Sequence, residues 1–162
     1  VISDGADFKE FCEALSEVTM KLCKMIASDG EGATKLIECT VKGAKDDESA
    51  NKMVKSVISS SLFKAAMFGA DANWGRVLCA AGYSGAEADF KKAEVEFFSE
   101  AGNIVVCKNG AGLDFDEELA KKILSEKEIT VTVTLKDGNG SATGWGCDLT
   151  YDYVRINGDY RT

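Results

Sequence analysis

Residues 128–135 constrain the fold more than any other stretch. Ile129, Val131, Val133 and Leu135 alternate strictly with Thr130, Thr132 and Thr134. A period of two belongs to a strand with one face buried and the other in contact with water. Such a strand is stable only inside a sheet that has an apolar layer against it. Asp137-Gly138-Asn139-Gly140 follows directly. This is a hairpin signal, and Ser141 to Leu149 is expected to return as the partner strand.

The rest of the chain supplies more strands and the helices to cover them. Phe8, Phe11, Cys12, Leu15, Val18, Thr19, Leu22, Cys23 and Ile26 recur at steps of three and four, which predicts an amphipathic helix over 7–27. Ser28-Asp29-Gly30 ends it, with Gly30 suited to the left-handed position after a helix. A strand is expected over 34–41 and a helix over 46–60, the helix carrying acids in its first turn. Leu62 to Phe68 is apolar and short, so strand and helix both fit it. A turn at 71–76 leads into a helix over 76–83. Strands are expected at 93–98 and 103–108, a helix over 114–125 and a last short helix over 150–157. This order predicts an α+β fold with a mixed, largely antiparallel sheet packed with helices.

Composition narrows the function. The formal charge of −8 excludes the basic surface that a nucleic-acid partner requires. No apolar run approaches the ~20 residues that cross a bilayer, and the start shows no signal-peptide pattern. A chain opening at Val1 without Met is expected to be a processed product or a fragment. Six cysteines at 12, 23, 39, 79, 107 and 147 have no CxxC pair. Most lie among apolar residues in periodic segments, so they are read as reduced core thiols of a cytosolic protein, Cys12 and Cys23 among them. There is no histidine. A Ser-His-Asp triad, a Cys-His dyad and a His-ligated metal site are therefore excluded within this chain, and the spacing of an all-Cys zinc site is absent too. No metal site is expected.

Three clusters hold what chemistry remains. Asp29-Gly30-Glu31-Gly32-Ala33-Thr34-Lys35 reads as a helix stop and a turn, and it lacks the Gly-Lys-Ser/Thr of a phosphate loop. That reading leaves Glu31 unexplained, since glycines on both sides present its carboxylate unobstructed to a cationic group. Asp71-Ala72-Asn73-Trp74-Gly75-Arg76 is accounted for by a helix cap at Asp71 or Asn73 and an anchoring Trp74. Trp145-Gly146-Cys147-Asp148-Leu149-Thr150-Tyr151-Asp152-Tyr153 reads as a strand-to-helix junction capped by Asp148 or Thr150. Cys147 has no histidine or visible cation to activate it. The terminal Asn157-Gly158-Asp159-Tyr160-Arg161-Thr162 would by composition fray.

These clusters, with Phe68-Gly69-Ala70 ahead of Asp71 and the terminal Tyr160-Arg161-Thr162, closely resemble the ornithine/glutamate N-acetyltransferases of arginine biosynthesis in order and spacing. The likeness runs over essentially the whole chain. Ala72 departs from it, standing where that family usually has proline. The resemblance implies that 1–162 is the C-terminal part of a second (beta) subunit, divisible into subdomains 1–90 and 91–162. It implies a cytoplasmic precursor that cuts itself before a threonine, which becomes the N-terminal nucleophile. That threonine takes the acetyl group from N-acetylornithine and passes it to glutamate. A hydroxyl whose base is its own α-amine needs no histidine. Some members also use acetyl-CoA as a co-substrate; no other cofactor is implied.

No threonine here fills the nucleophile's place, so no catalytic residue is expected in this chain. The resemblance assigns Glu31, Asn157 and Thr162 to the substrate site. The partner it implies is the first (alpha) subunit of the same precursor, which brings the oxyanion-stabilising groups, in a hetero-oligomer of processed subunits. The residues taken alone fit a second reading, a non-catalytic binding or assembly module.

Overall fold

The computed structural model describes residues 4–160. Among these lie six α-helices and one six-stranded sheet. The helices are α1 (Ala6–Ser28), α2 (Asp47–Ser59), α3 (Ser61–Phe68), α4 (Trp74–Gly82), α5 (Glu117–Leu124) and α6 (Tyr151–Asp159). The strands are β1 (Leu36–Ala44), β2 (Glu94–Ser99), β3 (Gly102–Lys108), β4 (Ala111–Gly112), β5 (Glu128–Thr134) and β6 (Gly140–Cys147). The apolar segment 62–68, open to either reading from sequence, is helical. Ser60 caps α3 by accepting from the Phe63 amide, which continues the helical course directly after α2.

The sheet runs β4-β3-β2-β5-β1-β6, drawing strands from both 1–90 and 91–162. Only β1 and β5 pair in parallel, so the α+β class and the mixed, largely antiparallel sheet hold. The expected β5–β6 hairpin does not form, because β1 lies between the two strands, with Cys39 opposite Val131 on one side and Gly144 on the other. The glycines after Asp137 serve a different purpose. A Cβ on Gly138 would stand 2.7 Å from the Ala44 carbonyl oxygen, and one on Gly140 would overlap the Asp46 backbone. The 135–140 segment therefore passes over the β1–α2 connection, with the Leu135 amide bonded to the Lys42 carbonyl and the Asp137 amide to that of Gly43.

The alternation seen in the sequence sorts the two faces of the sheet. Ile37, Cys39 and Val41 of β1, Ile129, Val131 and Val133 of β5, and Val95 and Phe97 of β2 are buried. They meet Met53, Val54 and Val57 of α2, Phe63 and Met67 of α3, Val77 of α4 and Ile123 and Leu124 of α5 in one core. The other face carries Glu38, Thr40, Thr130 and Thr132, half-exposed.

The long helix contradicts the expectation of a buried stripe. No residue of α1 is buried, and Leu15, Val18 and Ile26 are 49%, 55% and 76% exposed. It joins the polar face of the sheet at its C-terminal end, through the Lys24 ammonium. That group lies 3.1 Å from Glu38 Oε2 and 5.3 Å from the centre of the Trp145 ring, while the Trp145 indole donates to the same carboxylate oxygen at 2.7 Å. The thiols diverge from the reading as well. Cys39 and Cys107 are buried, Cys12 and Cys147 half-buried, and Cys23 and Cys79 exposed; all are unpaired. Cys12 and Cys23 are not core residues, because the helix bearing them is not covered by this chain.

Candidate functional site

The loop 29–35, between α1 and β1, is locked onto the segment that starts α6. The Asp29 amide closes α1 on the Met25 and Ile26 carbonyls. The Gly30 carbonyl then accepts from the Ala33 amide at 2.9 Å, which sets Glu31 and Gly32 at the centre of a tight turn. The left-handed residue is Gly32, with φ of 68°, and not Gly30. Asp29 ends the helix with φ of −95°, so no left-handed residue is needed there. Gly30 is small for another reason: a Cβ there would stand 2.7 Å from Cys147 Sγ. At Gly32 an added Cβ would lie 2.8 Å from Asp152 Cβ and 2.9 Å from the Tyr153 amide nitrogen.

Hydrogen bonds fix this close approach. Asp148, 3% exposed, accepts from the Thr34 amide at 2.8 Å and the Lys35 amide at 3.1 Å, and takes the Thr34 hydroxyl on its second oxygen. Thr150 Oγ1 donates to the Gly32 carbonyl at 2.7 Å and accepts from the Tyr153 amide, so one hydroxyl both caps α6 and holds the turn. The side chain of Lys35, half-buried, reaches the ends of two helices. It donates to the carbonyls of Met67 at 2.5 Å and Leu124 at 2.7 Å, where α3 and α5 end, as a cation at helix C-termini should. Burial lowers the Lys35 pKa from the ordinary lysine value, and the Asp148 charge partly offsets this. Of the two helix caps expected from sequence, Asp148 or Thr150, Thr150 is the one that caps α6, while the clamp made by Asp148 and the role of Lys35 were not foreseen. The one available signal was a Lys and an Asp, each beside a chain reversal and next to an apolar residue.

On this frame the two exposed side chains assigned to the site meet. Asn157 Nδ2 donates to Glu31 Oε2 at 2.8 Å and to the Tyr153 carbonyl at 3.0 Å. α6 runs on through Asn157 to Asp159, beyond the expected end of the helix. Thr162 lies outside the described residues. Among the described residues Glu31 makes no salt bridge. The 71–76 cluster is structural at its centre: Asn73 caps α4 by accepting from the Arg76 amide at 3.1 Å and donates to Asp71, while Arg76 donates to the Leu62 carbonyl. The buried thiols are poor nucleophiles. Burial pushes Cys39 up to about 12 and also raises Cys107.

A mixed sheet covered by helices, with a carboxylate and a carboxamide hydrogen-bonded at the joint of a loop and the last helix, defines an α+β domain. The chain belongs to the ArgJ family, whose pattern matches residues 2–162. It is 52% identical to arginine biosynthesis bifunctional protein ArgJ 1 of Clostridium acetobutylicum over 162 residues, 100% of this chain and 40% of that protein. It is also 52% identical over 160 residues to arginine biosynthesis bifunctional protein ArgJ of Thermotoga neapolitana, 99% of this chain and 40% of that protein. The crystal structure of arginine biosynthesis bifunctional protein argJ from Bacillus halodurans superimposes with a TM-score of 0.91 at 43% identity, covering 99% of this chain and 74% of that one. The chain thus spans about two fifths of the length of the curated relatives it matches.

Proposed function

We propose that the parent of this chain transfers an acetyl group from N-acetylornithine to glutamate, and that this part contributes substrate-binding residues and no nucleophile. Membership of a family named for arginine biosynthesis supports the reading. The observation that carries it is the Glu31–Asn157 pair, which presents an exposed carboxylate, without a salt bridge among the described residues, at the joint of the loop and α6. In this account a threonine supplied by the rest of the parent attacks the acetyl carbonyl, its own α-amine takes the hydroxyl proton and passes it to the amide nitrogen as the C–N bond breaks, and ornithine leaves as the free amine. The α-amine of glutamate then attacks the acyl-threonine ester and restores the hydroxyl. Oxyanion-stabilising groups come from the first subunit of the precursor. Glu31 faces the substrate ammonium, and Asn157 with Thr162 holds its polar end. The processed subunits form a hetero-oligomer in the cytoplasm, with acetyl-CoA as an alternative acetyl donor. No helix among the described residues is long and apolar enough to cross a membrane.

The test is kinetic. Full-length parent is assayed with N-acetylornithine and with acetyl-CoA as separate donors, alongside Glu31→Gln. The account expects acetyl transfer from N-acetylornithine, and for the variant a raised KM or a reduced turnover. Wild-type enzyme that moves no acetyl group, or a variant with unchanged kinetics, sinks the assignment.

A further inference from the structure

Five residues close a ring of hydrogen bonds beneath the Glu31 carboxylate. The Thr150 hydroxyl donates to the Gly32 carbonyl at 2.7 Å and accepts from the Tyr153 amide at 3.2 Å. The Tyr153 carbonyl accepts from Asn157 Nδ2 at 3.0 Å, and the same nitrogen donates to Glu31 Oε2 at 2.8 Å. The peptide bond from Glu31 to Gly32 completes the circuit. Glu31 and Asn157 stand exposed at its mouth, whereas Thr150, 5% exposed, lies at its base. The base sets a requirement that few side chains meet. One atom must accept from an amide and donate to a carbonyl, which a hydroxyl does and a carboxylate or an aliphatic group does not.

We propose that Thr150 is a positioning residue for the substrate-binding pair: without touching substrate, its hydroxyl sets the separation of Glu31 and Asn157, and through it the affinity for the substrate ammonium. This rests on the reading of Glu31 and Asn157 as substrate-binding residues. The lever is α6 itself. No residue of the helix is buried, and among the described residues its one side-chain hydrogen bond to 29–35 is that of Asn157 to Glu31. Asn157 stands about 10 Å along the helix from Thr150, at 1.5 Å per residue. At that reach a tilt of roughly 10° at the Thr150 end moves Asn157 by about 2 Å. A bond of 2.8 Å does not survive such a shift. Asp148 does a different job, since it holds Thr34 and Lys35 where the loop leaves for β1, while Thr150 holds the turn that carries Glu31.

The experiment uses the full-length processed parent with Thr150→Val, Thr150→Ser, Glu31→Gln and, as a helix cap lost far from the site, Asp46→Ala on α2. Thr150→Ala stands in for Thr150→Val if the latter does not fold. Kinetics with N-acetylornithine and thermal unfolding are measured for each, and crystal structures of wild type and Thr150→Val give the Glu31–Asn157 distance. Thr150→Val keeps the shape and loses the hydroxyl. It is expected to raise KM at least about threefold, with kcat within about twofold of wild type. It should also part the two side chains beyond about 3.5 Å. Thr150→Ser should match wild type in both respects, and Asp46→Ala should lower Tm without moving KM. A wild-type KM in Thr150→Val beside an impaired Glu31→Gln overturns the proposal. So does a Thr150→Ser variant as impaired as Thr150→Val, a KM raised equally by Asp46→Ala, or a pair still at hydrogen-bond distance in Thr150→Val. Unimpaired kinetics in Glu31→Gln fell the functional reading instead, and the crystal distance then decides alone whether Thr150 positions the pair.

Discussion

Asn157 donates a hydrogen bond to Glu31 at 2.8 Å, joining side chains 126 residues apart. Neither is buried, so the contact adds little to folding. Its effect is on geometry: it fixes where the carboxylate stands relative to α6. Asn157→Ala is therefore expected to raise the KM of the full-length enzyme for N-acetylornithine several-fold. Its unfolding free energy should stay within about 0.5 kcal/mol of wild type. Steady-state kinetics beside urea unfolding separates the two effects.

Asp148 behaves differently because it is buried and holds three donors of the loop. Asp148→Ala leaves the Thr34 and Lys35 amides without partners, and is expected to destabilise the protein by roughly 2–4 kcal/mol. Asp148→Asn keeps an oxygen for the amides and a nitrogen for the Thr34 hydroxyl, and should cost less than half as much. Equal losses for the two variants would show that the clamp is not what holds the loop.

Gly32 is constrained by its φ of 68° and by the first turn of α6, which a Cβ would meet at 2.8 Å. Gly32→Ala should cost on the order of 1–3 kcal/mol and displace α6, so substrate affinity falls along with stability. Gly158 lies in the same helix with nothing within 4 Å of an added Cβ. Gly158→Ala should be neutral or stabilise by up to about 1 kcal/mol. Thermal unfolding of the pair checks the contrast.

Cys39 predicts an alkaline limit. Burial raises its folded-state pKa to about 12, against an ordinary thiol value of 9.0. A raised value means that the unfolded chain loses its proton first. The contribution is whole below pH 9 and is lost as pH climbs toward 12, at about 1.4 kcal/mol per pH unit once the unfolded thiol is ionised. Cys107 is raised as well and acts in the same sense, while Lys35, lowered by burial, acts in the opposite one. Urea midpoints measured from pH 8 to 11 should fall less steeply for Cys39→Ala than for wild type.

The elements were largely legible in the sequence because each depends on local periodicity and capping. The alternation at 128–135 identified β5, and the acids at 46–48 marked the start of α2. What failed was non-local. The Asp137-Gly138 turn chemistry says that the chain reverses, but it does not say that β1, some ninety residues earlier, will be interposed. The period on α1 reports an apolar side that must be covered, without saying that this chain would not cover it. At the site, glycines flanking Glu31 drew attention to its carboxylate, whereas Asn157 emerged only through family likeness, because a composition like that of 157–162 usually frays. Asp148 and Lys35 were missed since their partners are backbone groups far away in the chain, which no local pattern records.

The central claim is that Glu31 and Asn157 act together on one substrate. A double-mutant cycle on kcat/KM for N-acetylornithine, with Glu31→Gln, Asn157→Ala and the double variant in the full-length processed enzyme, tests it most directly. The account predicts that each single variant loses several-fold or more and that the double variant loses much less than the product of the two. Losses that multiply, or single variants as active as wild type, would contradict it.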